Sequence, residues 1–394
     1  MAKNNGSLLS TSIILLTFAH LFNDFYAGFL IPLLSYFQSF LNLTITQVSV
    51  LPTVLAVFGS ILQPVFGFLG DRFNKKHFVV SGVLCSAIFM SCICFAPNFI
   101  ILVFMLIIGA SGVASFHPNG AATVAGLSQN KSTFMMSIFL MVGCIGLAGA
   151  PFVIALIASS HGLSKLWFLS LPGVILALIL IRILPGFSGS KSNASLSGLK
   201  VLFARTSRPL WIMFLIMFTR SIVITSFMSF MSILFTEKGF SMQKSGVAIS
   251  IFLISGSIGG LIGGYLADRI NRKIVIACSS IFACPLLLWF LDSSGTLSIV
   301  LLGVSGMVIF AAAAVNVLIV QRLCPDMASS VSGISMGLVW GSAGLMLPII
   351  GHIADHYSMA TSLGIVAYMA PIAGLLVLLL PNINNPAKQM SKEY

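Results

Sequence analysis

Two residues inside a long apolar run of this 394-residue sequence could carry proton chemistry. Asp24 is the one acidic residue that lies clearly within an apolar run of the sequence. His20 precedes it by four residues, on the same face of a helix. A carboxylate at the centre of a bilayer costs about 2.5–3.5 kcal/mol, so it usually faces a cavity and serves as a proton or ion site. Histidine titrates near physiological pH. We therefore predict a proton-coupling pair, the alternatives being a structural anchor for Asp24 and a helix-packing role for His20.

Arg220 is the one basic residue that lies deep within an apolar run of the sequence. An internal repeat with an offset of 197 residues, described below, aligns it with Asn23, next to Asp24. Repeat symmetry predicts that Arg220 and Asp24 face each other across a cavity, where opposite charges pair at low dielectric. We predict that Arg220 and Asn23 bind substrate. A permanent structural salt bridge is the alternative for Arg220.

A third group of polar residues lies around a proline in an apolar run. His117 and Asn119 flank Pro118, which bends a helix and frees a backbone carbonyl, so that polar groups can line a cavity. Asn316 is the repeat equivalent of Asn119, and Gln321 is a weaker candidate of the same kind. We predict that His117, Asn119, Asn316 and Gln321 bind a polar substrate. Hydrogen bonds between helices are the alternative.

The composition indicates that membrane helices position these residues. The chain is 58% hydrophobic and 7% charged, whereas soluble domains carry roughly 25% charged residues, so soluble and disordered classes are excluded. The runs do not alternate as strands of a membrane barrel would. The predicted fold is an all-α membrane protein with twelve transmembrane helices, at 11–36, 46–69, 77–96, 99–124, 132–158, 165–184, 210–235, 243–266, 273–291, 296–320, 327–351 and 357–381.

The positions of the basic residues predict the orientation. The net charge is +12, but Lys and Arg occur in short bursts between apolar runs, which excludes a nucleic-acid-binding face. With the N-terminus inside, sixteen basic residues lie in inner segments and three, Lys165, Lys238 and Lys244, lie in outer loops. This bias predicts cytoplasmic N- and C-termini in an integral membrane protein of the bacterial inner membrane.

The two halves of the chain repeat. Residues 67–76 read GFLGDRFNKK and residues 264–273 read GYLADRINRK, with six of ten positions identical. The predicted organisation is a six-helix half at 1–184, a cytoplasmic linker at 185–209 and a second half at 210–394. Parallel repeats of this kind place a substrate site near the membrane midplane, between the halves.

Both repeated blocks carry acidic and basic residues at the predicted end of a span. A carboxylate there can bind a neighbouring helix N-terminus or basic side chain and so latch one conformation. A topology signal alone is the alternative. We predict conformational gating by Gly67, Asp71, Arg72, Gly264, Asp268 and Arg269, and helix packing or bending by Gly143, Gly146 and Pro151.

The repeated block resembles the signature loop of the major facilitator superfamily. Other segments are similar to its fosmidomycin-resistance family: His20 with Asn23-Asp24, Phe116-His117-Pro118, Arg220-Ser221, Gln321–Pro325, Ser332-Gly333 and Ala354-Asp355. This resemblance implies a major facilitator fold. It also implies a transporter that exports small toxic compounds by proton-coupled alternating access. Uptake of a small organic anion or metal chelate by proton symport stays open, as does a receptor or scaffold without flux.

The remaining expectations concern chemistry and partners. The sequence contains neither a P-loop nor an H-E-x-x-H or nucleophile-elbow motif, so we expect a non-enzymatic protein. We predict no cofactor and no metal site. The predicted partners are a small-molecule substrate, protons and the lipid bilayer, with the protein acting as a monomer.

Overall fold

The computed structural model describes residues 2–128, 132–184, 208–323 and 337–381, and none of these residues forms a β-strand. Eleven helical segments in these ranges are long and apolar enough to cross a membrane. We number the spans in chain order and reserve span 3 for the segment described next. Spans 1, 2 and 4 to 12 are Thr11–Phe40, Ile45–Arg72, Phe99–Leu127, Met135–His161, Leu163–Ile183, Arg208–Glu237, Met242–Arg269, Arg272–Asp292, Gly295–Leu323, Gly337–His356 and Met359–Leu379.

Span 3, predicted at 77–96, is a helix of mixed type. It is α-helical over Lys75–Cys85, π-helical over Ser86–Met90, and ends in a 3-10 turn at Ile93–Phe95. π-helical segments are usually single turns inserted in α-helices. This one packs against span 4 at Gly112, where an added Cβ would lie 2.7 Å from the Ser86 nitrogen. Span 2 contains a similar π-helical turn at Val57–Ile61 but remains one long segment, whereas the α-helix of span 3 ends at Cys85.

The sequence repeat is visible in how the spans begin. The side chain of Asn74 accepts a hydrogen bond from the Lys76 backbone N–H at 3.1 Å, and that of Asn271 accepts one from Lys273 at 3.0 Å. Each asparagine caps the helix that follows a repeated block, satisfying an N–H that the helix leaves free. The same local chemistry therefore starts span 3 and span 9.

Spans 1–6 form the N-terminal half and spans 7–12 form the C-terminal half. Span 5 packs on span 8, and span 2 packs on span 11, across the boundary between the halves. Glycines permit the approach, because a Cβ on Gly246 would contact the backbone of Pro151, and one on Gly344 would contact Ala56. Of the predicted linker at 185–209, residues 185–207 lie outside the described ranges.

Candidate functional site

A cavity of about 310 Å³ lies between the two halves. Its wall is mostly apolar, and Asp24 and His117 are the ionisable side chains among the described residues that line it. The wall is built from spans 1, 2, 3, 4, 5, 7 and 11. The other lining residues are Ala27, Leu30, Ile31, Leu34, Pro52, Leu55, Ala56, Gly59, Ser60, Gln63, Met90, Ala110, Val113, Leu147, Thr225, Met228, Ser229 and Trp340.

Asp24 lies between two histidines. Its Oδ2 is 3.3 Å from His20 Nε2, and its Oδ1 is 3.1 Å from His117 Nε2. His20 is buried, whereas the side chain of His117 is 26% exposed and faces the cavity. The structure therefore brings together the predicted proton-coupling pair and one predicted substrate ligand, with His117 as the accessible member.

The orientation of His20 is set by span 5. Its Nδ1 lies 2.7 Å from the backbone oxygen of Phe139, and its ring stacks on the Phe139 ring at a centroid distance of 4.0 Å. A carbonyl oxygen only accepts hydrogen bonds, so His20 Nδ1 carries the proton and donates it. His20 Nε2 is left facing Asp24.

Glycines in span 5 make this arrangement possible. A Cβ on Gly143 would lie 2.6 Å from Asp24 Oδ2 and 2.6 Å from His20 Cε1. A Cβ on Gly146, one turn further along, would contact the backbone oxygen of Leu21. Gly143 therefore lies directly beside Asp24 and His20, and Gly146 permits close contact between spans 5 and 1.

The predicted pairing of Arg220 with Asp24 across the cavity is wrong in this structure. Arg220 is buried within the C-terminal half, where its guanidinium donates to Ser279 Oγ at 3.2 Å, to Ser280 Oγ and to the backbone oxygen of Ile309. It does not line the cavity.

The reason for this error is helical geometry. The repeat aligns Arg220 with Asn23, not with Asp24, and consecutive helical residues point about 100° apart. Asn23 points into its own half and accepts a hydrogen bond from Ser86 Oγ of span 3 at 3.1 Å. Arg220 contacts the equivalent span 9 in the same way, through Ser279 and Ser280. Both residues face their own half rather than the cavity.

The predicted amide ligands also lie off the cavity wall. Asn119 is buried and donates to the backbone oxygens of Phe66 in span 2, at 3.1 Å, and Ser115 in its own span, at 2.9 Å. Asn316 is buried and Gln321 is partly buried, and neither lines the cavity. For Asn119, the hydrogen bond to Phe66 in span 2 agrees with the alternative, a bond between helices, rather than with substrate binding.

The two repeated blocks form matching ion pairs within their own halves. Asp71 lies 2.9 Å from Lys75 Nζ, and Asp268 lies 3.9 Å from Arg272 Nη2, which is the repeat equivalent of Lys75. Each pair joins the end of one span to the start of the next. In this conformation both carboxylates are exposed, and gating by them stays a prediction.

The other members of these blocks have different surroundings. A Cβ on Gly67 would lie 3.4 Å from Pro118, so Gly67 permits contact between spans 2 and 4, whereas one on Gly264 would meet no atom within 4 Å. Arg72 is exposed, and Arg269 lies over the ring of Tyr265 at 4.4 Å.

A further contact, which was not predicted from the sequence, joins the halves where span 2 begins and span 11 ends. Asp355 accepts hydrogen bonds from the backbone N–H groups of Ile45 and Thr46, at 2.6 and 2.8 Å, and from Thr46 Oγ1 at 2.6 Å. A carboxylate at a helix N-terminus is stabilised by free N–H groups and the helix dipole. No local sequence signal indicates the partner of Asp355, which lies 310 positions away.

One group of side chains in the described part of the chain could hold a metal ion. Ligand atoms of His20, Asp24 and His117 all lie within 4.8 Å of one another. The sequence predicted no metal site, because His117 is 93 positions from Asp24 and belongs to a different span.

The helical membrane fold and the cavity between two repeated halves define a transporter rather than an enzyme. The chain belongs to the Major Facilitator Superfamily, whose family model matches residues 14–348. It is 25% identical over 378 residues to the fosmidomycin resistance protein of Escherichia coli (strain K12), covering 93% of this chain and 92% of that protein. The predicted fold class and the resemblance are confirmed.

Two further comparisons agree with this assignment. The chain is 25% identical over 398 residues to the uncharacterized MFS-type transporter YfnC of Bacillus subtilis (strain 168), covering 96% of this chain and 94% of that protein. A bacterial homolog of the human lysosomal transporter Spinster, solved in an inward-facing and occupied conformation, superposes with a TM-score of 0.80 at 14% sequence identity, covering 94% of this chain and 96% of that chain.

Proposed function

We propose that this protein is a proton-coupled secondary transporter that exports a small toxic compound by alternating access. The observation that carries the proposal is the cavity between the halves, with Asp24 in its wall next to His20 and His117. The relative named for fosmidomycin resistance supports export as the direction.

His20 and Asp24 are the proposed proton carriers. Because His20 Nδ1–H donates to the Phe139 oxygen, a contact between His20 Nε2 and Asp24 needs one proton, on either partner. Without it, two lone pairs would face each other at 3.3 Å, with His20 buried. The pair therefore favours holding a proton, and His117 connects it to the cavity.

The cavity wall favours an amphipathic substrate that is neutral or cationic. Apolar side chains such as Met90, Met228 and Trp340 supply most of the wall, as in sites for small organic molecules. Asp24 supplies a negative charge when the His20–Asp24 pair has released its proton, and Arg220 is bonded elsewhere. A cation that binds near Asp24 would favour release of its proton, which is the coupling that exchange requires.

The proposed orientation places both termini in the cytoplasm of a bacterial cell with the protein in its inner membrane, and it rests on the sixteen-to-three distribution of basic residues. In that orientation the Asp355 contact closes the outer face, and the Asp71 and Asp268 ends are cytoplasmic. Reporter fusions after Ser190 and near Lys392 test this. Activity of a cytoplasmic reporter at both points is expected, and activity of a periplasmic reporter at either would overturn the orientation.

A susceptibility and growth screen tests the function. Cells with the protein, cells without it and cells with Asp24→Asn are compared on a panel of toxic compounds that includes fosmidomycin, at matched membrane abundance. Resistance that requires Asp24 is expected. Increased sensitivity, or a nutrient requirement met by the protein, would instead support uptake. Uptake of a metal chelate is the second candidate, because the His20, Asp24 and His117 atoms could contact a metal.

A further inference from the structure

We propose that His20, Asp24 and His117 form an exchangeable binding site for a divalent transition-metal ion in the cavity wall. One ligand atom from each residue lies within 4.8 Å of the other two. Two imidazole nitrogens and one carboxylate oxygen suit Zn²⁺, Co²⁺ and Ni²⁺, whereas Mg²⁺ and Ca²⁺ prefer oxygen ligands throughout. This inference goes beyond the proposed transport function, since the site binds metal whichever way the substrate moves.

The distances around Asp24 fit such an ion. Metal–ligand bonds of roughly 2.0–2.2 Å in a tetrahedral site separate neighbouring ligand atoms by about 3.3 Å. His20 Nε2 lies 3.3 Å from Asp24 Oδ2 and His117 Nε2 lies 3.1 Å from Asp24 Oδ1, so each histidine has this spacing to one of the two carboxylate oxygens. All three ligand atoms lie within 4.8 Å of one another, so closing around one ion moves the atoms that are furthest apart together by at most about 1.5 Å.

The surroundings of His20 prepare it as a ligand. Histidines bound to metals usually donate their second ring N–H to a backbone carbonyl or carboxylate, which fixes the tautomer and the ring direction. His20 Nδ1 makes this bond to the Phe139 oxygen at 2.7 Å, and the Phe139 ring stacks on the imidazole. Once the proton shared with Asp24 is released, the Nε2 lone pair of the neutral ring points at the site, and a metal ion takes the place of that proton.

One oxygen of Asp24 lacks a partner that its burial would demand. Asp24 Oδ1 is inaccessible and accepts no well-aligned hydrogen bond, although His117 Nε2 lies 3.1 Å away. Leaving a buried acceptor unsatisfied is destabilising, and more so for a charged group. A metal ion between Oδ1 and His117 Nε2 would satisfy both atoms without requiring hydrogen-bond alignment.

The remaining coordination positions face the cavity. Asp24 and His117 both line it, so an ion held there has three protein ligands and access to about 310 Å³ of space. Structural metal sites are closed by four protein ligands, whereas sites with three keep a position for an exchangeable molecule. A divalent ion with one carboxylate keeps a net charge of +1, which favours an anionic molecule at the open position.

Equilibrium binding of Co²⁺ to detergent-purified protein tests the proposal, with an affinity tag that contains no histidine. Wild type is titrated with Co²⁺ chloride and, in a second arm, with Co²⁺ bound to one nitrilotriacetate, to separate a bare ion from a chelate. One site per protein with visible absorption of four- or five-coordinate cobalt is expected in at least one arm. Zn²⁺ should displace Co²⁺, and excess Mg²⁺ should not.

Matched variants decide where the ion binds. Asp24→Asn and His117→Gln should each weaken binding at least tenfold, while His352→Gln, in an exposed histidine pair on span 11, should bind as wild type. No site in either arm, or equal affinity in wild type and both cavity variants, would overturn the proposal. If Asp24→Asn fails to fold, the partly exposed His117 carries the test. Because no flux is measured, failure here leaves the transport proposal standing, and a negative drug screen leaves Co²⁺ binding intact.

Discussion

His20 of span 1 donates its Nδ1–H to the backbone oxygen of Phe139 in span 5, 2.7 Å away. This bond assigns the tautomer of the imidazole from heavy-atom positions, because the acceptor has no proton to give. The bond also joins span 1 to span 5, and span 5 in turn packs on span 8 of the other half. Any sliding of span 5 along span 1 would change the acceptor of His20 and so the hydrogen bonding of Asp24.

Gly143 and Gly149 provide a matched test of this packing. Gly143→Ala places a methyl group 2.6 Å from Asp24 Oδ2, whereas a methyl group at Gly149 meets no atom within 4 Å. Overpacking typically destabilises by 1–3 kcal/mol. We expect Gly143→Ala to lower the thermal unfolding temperature and the resistance of cells, and Gly149→Ala to change neither by much. Equal behaviour of the two variants would contradict the packing described.

In the proposed orientation, we expect Asp355 to hold the outer face closed. Asp355→Asn keeps the shape but weakens the charge-assisted bonds from Ile45 and Thr46. We expect the protein to sample the outward-open conformation more often, so that a cysteine placed at the buried Ser49 reacts faster with an impermeant maleimide. Asp292→Asn, at the exposed end of span 9, is the control. Unchanged labelling in Asp355→Asn would show that this contact does not hold the face closed.

Arg220 is expected to act through stability. Hydrogen bonds to a charged group contribute roughly 1.5–3 kcal/mol each, and lysine cannot reproduce the two-pronged donation to Ser280 and Ile309. Arg220→Lys should therefore unfold at a lower temperature while the folded fraction binds substrate normally. Arg72→Lys, at an exposed position, should match wild type. Lost substrate affinity with unchanged stability would return Arg220 to the substrate site.

We expect Asp71 and Asp268 to affect the rate of transport rather than the affinity for substrate. Asp71→Asn and Asp268→Asn each remove an ion pair to a partly buried basic residue, and we expect a loss of stability of about 1 kcal/mol or less. If the carboxylates latch another conformation, flux should fall while equilibrium substrate affinity, measured by fluorescence, stays near wild type. A collapse of affinity would exclude a latch and place both residues in substrate binding.

Composition and repeats predict the fold well, because every spanning helix must be apolar and must satisfy its own backbone. The positions of Asp24 and His20 on one helical face follow from their spacing of four. The π-helical turns at Val57–Ile61 in span 2 and Ser86–Met90 in span 3 were not predicted, because the apolar pattern does not distinguish them from α-helix.

The candidate site is less predictable, because it depends on how far each helix is rotated. The repeat predicts that Asn23 and Arg220 lie at matching places, and both do contact the third helix of their half. It does not reveal that this place faces away from the cavity, since one residue along a helix changes the direction by about 100°. His117 joins Asp24 through the packing of spans 1 and 4, which only the structure shows.

The most direct test of the account measures substrate flux in proteoliposomes under an imposed pH gradient. The probe is the compound to which the susceptibility screen shows resistance. Wild-type flux should follow the direction and size of the gradient, and Asp24→Asn should lose this dependence while still binding the compound. Wild-type flux that is indifferent to the pH gradient, or gradient-driven flux that persists in Asp24→Asn, would contradict proton coupling through Asp24.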